Sequence, residues 1–231
     1  MLFIIVVILI VCGFVFFYKK GTMPEHARRL TRSQENANLI RVLLELEEEP
    51  REELFKLYQE QFGPGAARYA RQTYQKWKTG SVRPNKQTFR RFLLNLPQVM
   101  SFDLKCEVLR ELREAYCAQD TYEVAVTTYD WKQTLVPMVQ TVIQKALTAE
   151  LPESVSRRLT WLAENDVTVA NAILAESQAR ETANALTLLE KEFSNIEELL
   201  DNMPGTGKVT HQLKLPLGTI TLSVKKGRRD G

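Results

Sequence analysis

An uncharged apolar run at the start of the chain constrains this sequence more than any other feature. Residues 1–18, MLFIIVVILIVCGFVFFY, contain no charged side chain, and two lysines follow directly. As a helix, this run rises roughly 27 Å, close to the roughly 30 Å hydrocarbon core of a bilayer. A cleavable signal peptide would carry a basic segment before the run and small residues after it, whereas this run is apolar from Met1 and ends in aromatic residues. We therefore predict a retained transmembrane anchor.

The charges that follow the run predict its orientation. Lys19 and Lys20 are followed by Arg28, Arg29 and Arg32, which makes 19–35 a basic juxtamembrane segment. Because positive residues stay on the cytoplasmic side, we expect a single-pass protein with its N-terminus outside and its C-terminal body in the cytoplasm. Membrane lipid, contacted through the anchor, is thus the first expected partner.

The cysteines agree with a reducing compartment. Cys12 lies in the apolar run, and Cys106 and Cys117 lie in one predicted helix, about 16 Å apart along its axis. That separation is far beyond disulfide reach. No Cys-x-x-Cys pair or Cys/His cluster is present.

Residues 36–202 predict a multi-helix domain, because apolar residues recur at helical spacing between Pro and Gly breaks. The predicted helices cover about 35–49, 50–62, 66–78, 86–96, 101–117, 120–147, 153–163 and 172–200. Asp120 and Glu123 resemble a capping pair that would start the 120–147 helix, and Pro137 would kink or split it.

The long last helix carries a heptad-like stripe that is small in its first half and large in its second. Its members are Ala172, Ala175, Ala179, Thr182, Leu186, Leu189, Phe193, Ile196 and Leu200. The stripe fits either an ordinary core face or a coiled-coil seam between two copies, which would make the protein a homodimer.

Two alternating runs, 209–215 and 219–224, flank a Pro-Leu-Gly connection and predict a β-hairpin over 203–225, followed by a basic tail at 226–231. A lone hairpin is marginal in water, so its apolar residues Ile220, Leu222 and Val224 must cover the helical body, or its edge must pair with another chain.

The segment PGTGKVT at 204–210 resembles a phosphate-binding loop but fails its requirements. The first glycine of G-x-x-x-x-G-K-[S/T] would fall on Asn202, and Val209 replaces the hydroxyl residue that binds magnesium. A helix precedes the segment and strand-like residues follow, the reverse of the required context. We interpret it as a turn.

Charge is unevenly distributed, although 31 basic and 28 acidic residues nearly balance. No acidic residue lies between Glu60 and Asp103, a window that holds Arg68, Arg71, Lys76, Lys78, Arg83, Lys86, Arg90 and Arg91. Three interpretations stay open: neutralisation by the preceding glutamates, contact with anionic lipid or an acidic protein, and nucleic-acid binding. The last is disfavoured because Tyr69, Tyr74 and Trp77 are expected on the core face.

The two histidines and the dispersed acids form no catalytic, cofactor or metal motif. We therefore predict a mainly α protein with an N-terminal transmembrane helix and a C-terminal β-hairpin, acting as an adaptor or scaffold that binds a protein partner at the membrane. The alternative is a membrane-bound hydrolase or metal-dependent enzyme whose site is assembled from dispersed acidic residues.

Overall fold

A computed structural model describes residues 37–83, 85–117, 120–203 and 207–226. The chain divides into two units, Met1–Leu39 and Ile40–Gly231. Of the first unit, only residues 37–39 are described, and they are helical. The predicted anchor at 1–18 and the whole juxtamembrane segment at 19–35 lie outside the described residues. Within the described residues, no helix has both the length and the apolar character needed to cross a membrane.

The described part of the chain contains eight helices and three strands. In chain order they are α1 (37–45), α2 (Glu48–Phe62), α3 (Pro64–Lys78), α4 (Lys86–Val99), α5 (Phe102–Cys117), β1 (Thr121–Thr128), α6 (Trp131–Leu147), α7 (Glu153–Leu162), α8 (Val167–Asp201), β2 (Lys208–Leu215) and β3 (Gly218–Lys226). The mainly helical class and the C-terminal hairpin are confirmed.

Local sequence explains four of the helix ends. Gly63 adopts φ 83°, which ends α2, and Pro64 occupies the first turn of α3, where its missing N–H is not needed. The Asn85 side chain caps α4 by accepting from the Gln87 N–H. Asp166 caps α8 in the same way.

The predicted helix over 120–147 is wrong in its first part. Residues 121–128 form strand β1, and α6 begins only at Trp131. From there α6 is assigned as one helix to Leu147, so Pro137 does not split it. The hairpin consequently belongs to a three-stranded sheet of order β1-β3-β2, in which β1 is parallel and β2 antiparallel to β3.

One face of this sheet packs on α6 and α8. Every second residue of each strand turns to the helices, including Val124 of β1, Leu213 of β2 and Leu222 of β3. Trp131 and Leu189 meet them from α6 and α8. The hairpin therefore covers the helical body. This was the first of the two arrangements predicted for it, the other being pairing of its edge with another chain.

The buried stripe of α8 differs from the predicted one in its first half. Ile173, Ser177, Glu181 and Ala185 are buried, and they lead into Leu189. The predicted members Ala172, Ala175 and Ala179 are exposed instead.

The segment that resembles a phosphate-binding loop leads into a strand. Residues 204–206 lie outside the described part of the chain, and Lys208 begins β2 rather than a helix.

Candidate functional site

An aromatic core joins α2, α3 and α4 and holds their outer faces in place. The Phe55 ring lies edge-on to Tyr74 at 5.5 Å and to Phe92 at 5.9 Å between ring centroids. Trp77 meets the Phe92 ring at 5.5 Å. Each edge-to-face pair contributes roughly 0.5–1.5 kcal/mol beyond its buried area. With these residues inward, the polar sides of α3 and α4 face solvent.

Hydrogen bonds fix the same three helices to their neighbours. The Tyr74 hydroxyl lies within hydrogen-bond distance of the carbonyl oxygens of Leu43 and Leu44, at 3.1 and 3.2 Å. Burial raises the pKa of this phenol, which keeps it a donor. Gln61 and Asn95 exchange two side-chain amide hydrogen bonds of 2.8 and 3.1 Å.

The outer sides of α3 and α4 and the loop between them form what we call the basic surface. It comprises Arg68, Arg71, Lys76, Lys78, Arg83, Lys86, Arg90 and Arg91. Arg71 forms an ion pair with Glu52 and lies over the Phe55 ring, 4.5 Å from its centroid. Among the described residues, no carboxylate forms an ion pair with any of the other seven.

The expected neutralisation by neighbouring glutamates is thus limited to one ion pair. Of the acidic residues of α1 and α2, Glu45 is paired with Arg41 and Glu53 lies 3.6 Å from Lys56. These carboxylates meet cations of their own helices, and among the described residues the Glu52–Arg71 pair is the ion pair that joins α2 to the basic surface.

Apolar side chains are exposed among these charges. Tyr69 is 59% exposed, Leu94 61% and Val82 48%. The expectation that Tyr69 faces the core is therefore wrong, whereas Tyr74 and Trp77 are buried as predicted. Tyr69 follows Arg68 directly and precedes the buried Ala70, so it lies at the border between the core and solvent-facing sides of α3.

A groove of about 440 Å³ opens at the N-terminal half of α4. It is lined by Asn85, Lys86, Gln87, Arg90, Arg91 and Leu94. The Arg91 guanidinium lies 5.0 Å from the centroid of the Phe62 ring, while Lys86 and Arg90 are exposed. The groove combines three cations with one apolar wall and no carboxylate.

The other predicted partner-binding residues lie within the chain's own core. Leu189, Ile196 and Leu200 of α8 are buried, and Leu186 and Phe193 are partly buried. Ile220, Leu222 and Val224 of β3 are buried against α6 and α8. These eight side chains therefore stabilise the fold and offer a partner little or no surface.

The sequence reading missed a buried charge pair between α5 and α8. The side chains of Arg113 and Glu181 are 2% and 0% exposed, and Nη1 lies 3.5 Å from Oε1. Neither carboxylate oxygen of Glu181 receives a hydrogen bond from the described residues. Burial raises the pKa of Glu181, and Arg113 opposes the rise. The sequence signal for this pair was the i, i+4 series Ile173, Ser177, Glu181 and Ala185, which places Glu181 on the same buried face of α8 as Ile173 and Ala185.

Neither of the two described grooves is lined by a carboxylate. A second groove of about 740 Å³, between α6 and α8, is lined by Pro137, Gln140, Thr141, Gln144, Lys145, Thr148 and Thr182, again without a carboxylate. Among residues whose positions are described, no three His, Cys, Asp or Glu side chains are grouped to hold a metal ion.

Comparison with protein-family models, curated proteins and solved structures finds no match for this chain. What the protein does must therefore be inferred from its own surfaces.

Proposed function

We propose that this protein is a membrane-tethered helical adaptor whose basic surface contacts anionic lipid of the membrane that holds its anchor. The observation that carries the proposal is the charge balance: seven of the eight basic side chains have no ion-pair partner among the described residues. The apolar run at 1–18, with the basic segment at 19–35 behind it, supplies the tether and places the body on the cytoplasmic side.

Lipid explains the mixture of side chains better than neutralisation within the protein does. Each Lys or Arg near an anionic bilayer contributes on the order of 1 kcal/mol, within about one Debye length. Tyrosine suits the membrane interface because its ring is apolar and its hydroxyl is polar. Tyr69 and Leu94 are exposed beside the cations, where they would enter the headgroup region. Bound in this way, the body would present its remaining surface to a protein partner.

The test is sedimentation of residues 19–231 with vesicles. We expect binding to vesicles that contain phosphatidylserine, little binding to phosphatidylcholine alone, and weakening as salt rises. Replacing Arg68, Lys86 and Arg90 by Glu should lower the partition coefficient at least ~100-fold, because at least ~3 kcal/mol of attraction is lost.

A matched control makes the same change of charge elsewhere. Lys145, Lys208 and Lys214 are exposed and form no ion pair with described residues. Replacing these three by Glu should lower binding far less. Equal losses in the two triple variants would show that only net charge matters, and the basic surface would then have no special role.

A further inference from the structure

The sheet leaves β1 with an open edge. In the order β1-β3-β2, β3 is central, and its pairing with β1 runs without interruption from Thr121–Thr219 to Thr128–Lys226. Among the described residues, no strand pairs with the other side of β1. Such an edge presents a row of unpaired N–H and C=O groups that is a template for another strand.

The two edges of the sheet differ in their protection. Proteins block edge strands with lysine, proline, bulges or short length. β2 carries Lys208 and Lys214, and its His211 lies 3.1 Å from Glu192. β1, of sequence TYEVAVTT, has eight residues, no Lys, Arg, Pro or Gly, and a single charge at Glu123. Its β-branched and aromatic side chains are those that stabilise cross-strand pairs.

We infer that β1 pairs with the β1 strand of a second copy of this chain, antiparallel around a two-fold axis. The result is a continuous sheet of order β2-β3-β1-β1-β3-β2, with the helices of both copies on the same face. Cyclic two-fold dimers are the commonest oligomers and use the same patch on both copies.

Two copies of β1 are complementary to each other in charge and in side-chain size. When the axis passes at Ala125, Val124 lies opposite Val126 of the other copy, and Glu123 lies opposite Thr127. When the axis passes at Val124, Glu123 lies opposite Ala125. In both registers Glu123 lies opposite an uncharged residue and not opposite Glu123 of the other copy, so like charges do not face each other. Tyr122 and Thr128 face the helices and are only half-buried, and pairing extends the apolar layer over them.

A second copy supplies a strand of matching length, because β1 has the same eight residues in both copies.

The first experiment measures the mass of the full chain in detergent, at micromolar concentration. We expect two copies for the wild type. Ala125→Glu should give one copy, because it places like charges opposite each other in both registers while leaving the buried side of β1 unchanged. The new carboxylate meets its own copy when the axis passes at Ala125, and it meets Glu123 when the axis passes at Val124. Gln212→Glu, on the outer face of β2, should stay at two copies. A wild-type mass of one copy overturns the inference, as does an Ala125→Glu variant that remains dimeric.

The second experiment locates the contact independently. Directly opposite or diagonal neighbours across paired strands lie within about 8 Å, so Ala125→Cys should form crosslinked dimers with a short thiol-specific reagent in either register. Gln212→Cys is the matched control, and the wild-type chain with Cys12, Cys106 and Cys117 sets the background. A yield of crosslinked dimer for Ala125→Cys at least several-fold above those of Gln212→Cys and the wild type supports the inference. A yield equal to that of Gln212→Cys rejects pairing at β1.

Discussion

At the residue scale, the buried pair of Arg113 and Glu181 is the least expected feature of the fold. Burial removes water from both charged groups, which costs desolvation free energy. Their attraction at 3.5 Å, without hydrogen bonds to the carboxylate, offsets only part of that cost. Burial therefore dominates, and the pKa of Glu181 is raised despite the nearby guanidinium. Sequence reasoning missed the pair because charged residues are normally placed on the surface.

We predict that Arg113→Met lowers the free energy of unfolding by about 3–5 kcal/mol at neutral pH, because it leaves Glu181 buried without a countercharge. The loss should depend on pH. The folded carboxyl holds its proton more tightly than the unfolded one, so its contribution is full below the unfolded pKa of about 4.3 and is lost as pH rises through the folded pKa. Denaturant unfolding at several pH values measures this slope, which should be steeper than in the wild type.

The double variant Arg113→Met, Glu181→Met is the control. It replaces both charges by apolar groups, so its stability should return to within about 1–2 kcal/mol of the wild type and lose the pH slope that Glu181 causes. If the single variant is as stable as the double variant at every pH, the pair is not buried as described.

Gly218 provides a second prediction at this scale. Its φ is +128°, and a Cβ at this position would lie 2.6 Å from the carbonyl oxygen of Asp120. That oxygen also accepts the Thr219 N–H at 2.8 Å, which joins the start of β1 to β3. Gly218→Ala should therefore cost about 1–3 kcal/mol from backbone strain alone, with the overlap adding to it. The change in melting temperature measures the loss.

Gly65→Ala is the matched control, because nothing lies within 4 Å of a Cβ there and the residue is helical. It should be neutral or stabilising by up to about 1 kcal/mol. Similar melting temperatures for the two variants would contradict the close approach at Gly218.

At the element scale, β1 shows how a local signal can mislead. Asp120 and Glu123 have the spacing of a capping pair, which favoured a helix. The same residues begin an alternation in which Tyr122, Val124 and Val126 turn inward. The alternation decides the outcome because β3 offers an edge for parallel pairing, a contact almost a hundred residues away that local spacing does not contain. The hairpin was predictable because its two strands are adjacent in the chain.

The register of α8 shows a second limit. Because this helix is rich in alanine, more than one stripe of apolar residues at three- and four-residue spacing can be traced along it. The predicted stripe included Ala172, Ala175 and Ala179. The structure buries the stripe through Ile173 and Ala185, because α5, α6 and α7 cover that side. Both stripes meet at Leu189, so the second half was predicted well and the first was not.

We predict that replacing either of two alanines of α8 by leucine distinguishes the predicted buried face from the observed one. Ala185 is fully buried, so Ala185→Leu should overpack the core and cost about 1–3 kcal/mol. Ala179 is exposed, so Ala179→Leu should change stability by no more than about 0.5 kcal/mol. Denaturant midpoints at constant m-value measure both. A larger loss for Ala179→Leu would restore the predicted register.

At the scale of the whole molecule, the sequence predicted where charge accumulates but not how much of it remains free. The acid-free window between Glu60 and Asp103 is visible in the printed chain. Whether the preceding glutamates reach it depends on how α2 packs against α3, and that packing brings only Glu52 to Arg71. Likewise, Tyr69 was expected on the core face but is exposed, because it lies at the border of the apolar stripe.

The proposed tether and basic surface predict two kinds of membrane attachment in one chain. The full chain should remain with isolated membranes in 1 M salt, because hydrophobic insertion of residues 1–18 is not screened. Residues 19–231 should remain with the same membranes at low salt and be released at 1 M, where the Debye length falls to about 3 Å. The Arg68, Lys86 and Arg90 to Glu variant of this shorter chain should be released already at low salt. Immunoblots of membrane and soluble fractions measure all three. Release of the full chain by salt would contradict the anchor, and salt-resistant retention of residues 19–231 would contradict electrostatic attachment.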